Sequence, residues 1–180
     1  MEKLLWIDME MTGLDVNKEV PIEVAALITD YQFNELASYH AVIRQPQEYL
    51  DGMDEWNQLH HGKSGLTAQV PNGKAPELVE TELVSLVGQH FRSPAILAGN
   101  SIGQDRLFIE RYFPNLAQKL HYRVLDVSSW KVILNTRYQL KYEKKNTHRA
   151  LDDIRESIAE LSFYLDRCQF EQNKSGSAES

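Results

Sequence analysis

The stretch that decides the fold is Lys3-Leu4-Leu5-Trp6-Ile7-Asp8-Met9-Glu10-Met11-Thr12-Gly13-Leu14. Lys3 to Met9 reads as a buried strand, and Thr12-Gly13 is the turn signal that follows it. Strand side chains alternate between faces, so Asp8 and Glu10 leave the same side. Trp6, Ile7, Met9 and Met11 around them are apolar, which places two carboxylates at the end of a buried strand. Charge in that setting is costly unless cations, donors or protons meet it. The pair reads either as a metal site or as an exposed strand end with no special task.

Outward from this strand, Val20 to Thr29 and Leu36 to Ile43 read as two more strands around the polar turn Asp30 to Asn34. Residues 44–75 read as irregular, broken at Gly52, Gly62, Gly65, Pro71 and Gly73, with a short helix over Glu55 to His61. Pro76 opens a helix at a position proline tolerates, and Val79, Leu83, Leu86, Val87 and Phe91 keep helical spacing. Ala95 to Ala98 is a short strand, Gly103 to Phe113 a helix stopped by Pro114, and Tyr122 to Val127 extended. Ser128 serves as N-cap of a helix through Leu134. In the last helix Leu151, Ile154, Ile158, Leu161, Leu165 and Cys168 form one apolar stripe. Strands joined by tight turns, then strands reached through helices, indicate an α/β fold with a mixed sheet. Residues 1–170 are expected to form one domain and 171–180 a polar tail with nothing to bury.

Composition narrows the function classes. A hydrophobic share of 42% and a charged share of 25% are those of a globular chain of 180 residues. The lone Cys168 excludes an intramolecular disulfide and a cysteine-rich zinc cage. No run approaches the ~20 apolar residues of a membrane span. Asp8 and Glu10 interrupt the N-terminal apolar run too early for a signal peptide, so a soluble cytoplasmic protein is expected. With 19 basic against 26 acidic residues, the net charge of −7 is a poor basis for gripping a long nucleic acid. A very short substrate presents few phosphates and is not excluded.

Further acids join the first pair. Asp105 opens a helix and shares its core-facing side with Phe108, Ile109 and Tyr112; a first-turn acid favoured by the helix dipole is the plainer reading. At about 100° per residue, Asp153 falls at the margin of the last helix's apolar stripe, while Asp152 points to water. His148 lies just before that helix, where it reads as a capping or surface residue until its company is considered.

That company is specific. Asp8-x-Glu10, then Asn100 to Asp105, then His148 with Asp153, resembles the three motifs of the DEDDh exonuclease family. Residues 6–14, 99–105, 121–128 and 148–154 are similar in particular to its oligoribonuclease branch, and the likeness runs from about residue 3 to 168. The resemblance implies a ribonuclease H-like fold and 3′-to-5′ hydrolysis of very short RNA. It implies that Asp8, Glu10, Asp105 and Asp153 bind two divalent cations, Mg²⁺ or Mn²⁺, and that His148 acts as general base. It further implies that Leu14 and Trp56 sandwich a base, that His61 contacts substrate, and that Ser101 and Ser128 donate to a 5′-side phosphate. Trp56 also reads as a core aromatic, His61 as a surface residue, and the two serines as ordinary caps. The family likeness makes the chain a homodimer in which Tyr122, catalytic as well as substrate-binding, and Arg123 reach the other subunit's site. Arg137, Lys141, Lys144, Lys145 and Arg149 form a basic run that either steers RNA or is simply a solvated loop. The rivals are another DEDDh exonuclease, trimming transfer RNA or proofreading, and a non-catalytic nucleic-acid-binding protein on the same fold.

Overall fold

The computed structural model describes residues 2–143 and 149–168. Its five strands are β1 (Lys3–Met11), β2 (Pro21–Asp30), β3 (Glu35–Val42), β4 (Ala95–Gly99) and β5 (Leu120–Asp126), in the sheet order β3-β2-β1-β4-β5. β1 pairs antiparallel with β2 and parallel with β4; β2–β3 is antiparallel and β4–β5 parallel. The sheet is therefore mixed, as the connection lengths require: tight turns serve antiparallel neighbours, and crossovers serve parallel ones.

Alternation along β1 and β2 separates two cores. Leu5, Ile7, Met9 and Met11 pack with Val24, Ala26 and Ile28. They lie against Val79, Leu83 and Val87 of α4 (Pro76–His90) and Phe108 and Ile109 of α5 (Gly103–Tyr112). Leu4, Trp6, Ala25 and Leu27 pack on the other face against Val127 of α7 (Val127–Tyr138). Ile154 and Leu161 of α8 (Ala150–Leu165) complete that second core. Period two then puts Asp8 and Glu10 on the α8 face, and Glu23 of β2 with them.

Residues 44–75 are more ordered than their breakers imply. α1 (Gln47–Asp51), α2 (Glu55–Lys63), α3 (Leu66–Gln69) and a 3₁₀ turn at Val70–Asn72 enclose a small core of Ile22, Leu50, Met53, Leu66 and Val70. Asp54 caps α2 by accepting from the Asn57 amide at 2.8 Å. Pro114 ends α5 and also begins α6 (Pro114–Ala117), since a first helical turn needs no proline N–H. Among the described residues no helix is long and apolar enough to cross a membrane.

Candidate active site

The last turn of the central strand meets the first turn of the last helix. Asp8, Glu10 and Asp153 each offer one carboxylate oxygen, and these three atoms lie within 4.8 Å of one another. Asp153 is held there by its own helix, its amide donating to the Arg149 carbonyl at 2.9 Å. Asp152 is exposed and faces Arg155, 3.8 Å away, as the helix-face argument required. Asp105 approaches from α5, nearly buried, and its Oδ1 accepts from the Met9 amide at 3.0 Å. It is hydrogen-bonded to the backbone between the two β1 acids.

Like charges in an apolar wall hold protons tightly. Burial, then the Asp105 charge, then Glu10 and Asp153, push the Asp8 carboxyl well above the usual range. Burial first and Glu23 second raise Glu10 to about 8. Burial raises Asp105 to about 7, against the lowering effect of the Met9 amide. Hard oxygen donors this close, with proton affinity this high, fit a divalent cation. His148, together with Lys144 and Lys145, lies outside the described residues.

Beside Glu10, a small pocket is lined by Trp56, His60, His61 and Ser64. Trp56 is 61% exposed, so the core-aromatic reading fails; its ring stacks on His60 at 3.8 Å. His61 is buried, so the surface reading fails as well. Its Nε2 lies 2.9 Å from the Met11 carbonyl, an acceptor only, so Nε2 carries the proton. Burial holds its pKa below the ordinary value, and Nδ1 faces Glu10 Oε2 at 3.9 Å. Leu14 is 75% exposed, its carbonyl accepting from Gln104 Nε2 at 2.7 Å.

A second group of polar residues is saturated. Ser101 sits in left-handed backbone at φ 52°, which is uncommon for a side-chain-bearing residue. Its amide donates to Asp126 Oδ1 at 3.0 Å and Ser128 Oγ at 2.8 Å, and the two hydroxyls are 3.0 Å apart. The Ser128 hydroxyl donates to Asn100 Oδ1 at 3.2 Å. Asn100 Nδ2 donates in turn to Ser157 Oγ at 2.9 Å and Glu160 Oε2 at 3.1 Å, and Tyr164 supports Glu160 Oε1 at 3.0 Å. Ser128 is not the N-cap of α7. Asp126 is, accepting from the Ser128 amide at 2.9 Å, because the helix starts two residues earlier than the serine suggested.

Tyr122 and Arg123 lie on β5, an edge strand two places from β1. Tyr122 is 72% exposed and the Arg123 guanidinium sits over its ring at 5.2 Å. Arg137 and Lys141 of the basic run are exposed, but Arg149 is no solvated loop residue: it reaches Glu23 Oε1 at 3.2 Å. Glu23 and Asp126 were not singled out from sequence. A lone acid inside the apolar run Pro21-Ile-Glu-Val-Ala-Ala was the available signal for Glu23.

An exonuclease family model of the RNase T type matches residues 5–161, the span that holds every described candidate above. The human protein "Oligoribonuclease, mitochondrial" is 45% identical over 171 residues, covering 91% of this chain and 72% of its own length. The oligoribonuclease of Francisella tularensis (strain WY96-3418) is 46% identical over 170 residues, covering 91% and 94%. The fold is shared with exonuclease I of E. coli, whose zinc-bound complex with single-stranded DNA aligns at a TM-score of 0.75 and 15% identity. The alignment spans 93% of this chain and only 41% of that one. The sheet order is that of a ribonuclease H-like fold, and by sequence the chain belongs to the oligoribonuclease family of exonucleases.

Proposed function

We propose that this protein is a 3′-to-5′ exoribonuclease that cuts very short single-stranded RNA, especially dinucleotides, to nucleoside 5′-monophosphates. The observation that carries the reading is the convergence of Asp8, Glu10 and Asp153 oxygens within 4.8 Å, with Asp105 behind Met9. A protein that only bound nucleic acid would gain nothing from four acids facing a phosphate backbone.

Asp8, Glu10, Asp105 and Asp153 would hold two divalent cations, Mg²⁺ or Mn²⁺; when bound, these supply Lewis-acid stabilisation of the attacking and leaving oxygens. His148 takes the proton of the attacking water, its ordinary pKa of ~6.5 being suited to the task. The water oxygen bonds to phosphorus, the bond from phosphorus to the 3′-oxygen breaks with its electron pair on that oxygen, and the oxygen takes a proton from solvent water to leave as a hydroxyl. The released nucleotide keeps its 5′-phosphate. Trp56 and Leu14, both exposed, flank a base by stacking and apolar contact that any sequence satisfies. His61 lines the pocket beside Glu10 and contacts the same nucleotide.

Substrate length follows from the phosphate cap. Ser101 and Ser128 lie side by side and close the site against a longer chain. Tyr122 and Arg123, catalytic and phosphate-binding respectively, act from a second copy of the chain. The supporting observation is the edge strand: β5 and α7 expose Tyr122, Val124, Val132 and Ile133, a surface suited to a homodimer. A cytoplasmic location is part of this reading, and fractionation of the source cells tests it. The activity is tested by hydrolysis rates on RNA of two to seven nucleotides. The expected result is fastest release of monophosphate from the dinucleotide; equal or rising rates with length point to a different exonuclease of the same fold.

A further inference from the structure

Glu23 is fully buried on the same sheet face as the acid cluster, directly opposite Glu10 in the β1–β2 register. Like charges so placed oppose folding. Two side chains meet Glu23, both on Oε1: the Arg149 guanidinium at 3.2 Å and the His40 Nε2 of β3 at 2.6 Å. Its Oε2 is buried with no hydrogen-bond partner among the described residues. Arg149 is the N-cap residue of α8, in extended backbone, and its carbonyl accepts the amide of Asp153 at 2.9 Å. One residue thus ties a buried acid on β2 to the helical turn that carries a candidate ligand.

We infer that Glu23 and Arg149 form a clamp that positions Asp153 against Asp8 and Glu10, so that the ligand set is assembled before a cation arrives. The inference rests on the metal-site reading above and deepens it. Neither clamp residue touches substrate or metal; both are positioning residues. Without the clamp, α8 is still packed through Ile154 and Leu161, but its first turn is free to fray, and Asp153 lies in that turn. Residues that orient metal ligands are worth about 10–100-fold in metal affinity.

A positioning role and a mere charge effect make opposite demands on Arg149. Removing a cation near the site strengthens divalent-cation binding if charge alone matters, and weakens it if Arg149 holds Asp153 in place. The experiment is Mn²⁺ titration by calorimetry of the whole protein and of Arg149→Met, Glu23→Gln and the double variant, without substrate. The expected result is roughly tenfold weaker Mn²⁺ binding for Arg149→Met. The double variant is expected to bind no more weakly than Glu23→Gln, because both act through one link. Unchanged or tighter binding by Arg149→Met overturns the clamp while leaving the metal site standing. No Mn²⁺ binding by the unsubstituted protein overturns the metal-site reading itself, and the clamp with it. If metal-free unfolding shows that Arg149→Met does not fold, Arg149→Gln carries the same test with the same two signs.

Discussion

The acid cluster and the Asn100–Ser101–Ser128 network lie at the same end of the sheet and are built on opposite terms. In the network each donor has an acceptor: Ser101 on Asp126 and Ser128, Ser128 on Asn100, and Asn100 on Ser157 and Glu160. In the cluster, Asp8, Glu10 and Asp153 face one another, and the buried Glu23 adds to the repulsion. The network is complete within one chain and rigid; in the cluster the mutual repulsion at Asp8 and Glu10 calls for protons or cations. Substitution of Asn100 in the first therefore removes stability, and substitution in the second removes function while relieving the fold.

The largest effect tests the cluster. Asp8→Asn, Glu10→Gln, Asp105→Asn and Asp153→Asn are each expected to slow dinucleotide hydrolysis by at least about a thousandfold, while the exposed Asp152→Asn stays near the unsubstituted rate. Asp8→Asn is also expected to raise the metal-free unfolding temperature, since it deletes a repelled charge. Loss of stability there would show that the acid is compensated within the chain. Equal loss of activity from the Asp152 and Asp153 changes would remove Asp153 from the ligand set.

Next comes the cap. Arg123→Ala is expected to slow dinucleotide cleavage about a hundredfold and to flatten the preference for short substrates, because a guanidinium holds phosphate through two charge-assisted bonds. Mixing Arg123→Ala with His148→Ala chains is expected to restore part of the activity through heterodimers that carry one intact site. No recovery after confirmed subunit exchange places Arg123 within its own chain or outside the site.

A smaller, structural effect belongs to the network. Asn100→Ala leaves Glu160 and Ser128 short of partners and is expected to cost about 2–3 kcal/mol in urea unfolding. A cost near zero would mean that the network is not the rigid half of the comparison.

Much of this was legible in the sequence because it rests on periodicity. Alternation in β1 put Asp8 and Glu10 on one face, and the 100° step of α8 separated Asp153 from Asp152. What escaped depends on partners far away in the chain. Ser157 and Glu160 are buried on α8, where the apolar stripe gave no sign of them, because their partner Asn100 is 57 and 60 residues away. Glu23 and Arg149 belong to separate local patterns, a strand and a basic run, and only the fold brings them to 3.2 Å. Of the short helices after residue 44, α2 was legible as Glu55 to His61, while α1 and α3 were hidden by the flanking glycines Gly52 and Gly65; their small core draws one member, Ile22, from β2.

The pH dependence gives the finest test of the contrast. Glu10 is raised from 4.5 to about 8 and Asp105 from 3.8 to about 7, so the folded protein keeps protons that the unfolded chain has released. Metal-free stability is therefore expected to fall as pH rises from about 5 to 8. Millimolar Mn²⁺, by binding the folded state alone, is expected to restore several degrees in unfolding temperature at pH 8 and little at pH 5. A metal-free stability that rises over this window would mean that the acids are compensated inside the chain.

The most direct measurement of the central claim is nucleoside 5′-monophosphate release from an RNA dinucleotide, first with EDTA and then with Mn²⁺ restored in excess. The account predicts no release with chelator and full recovery on adding the cation back. Undiminished release in EDTA, or none in Mn²⁺ from a folded protein, would contradict it.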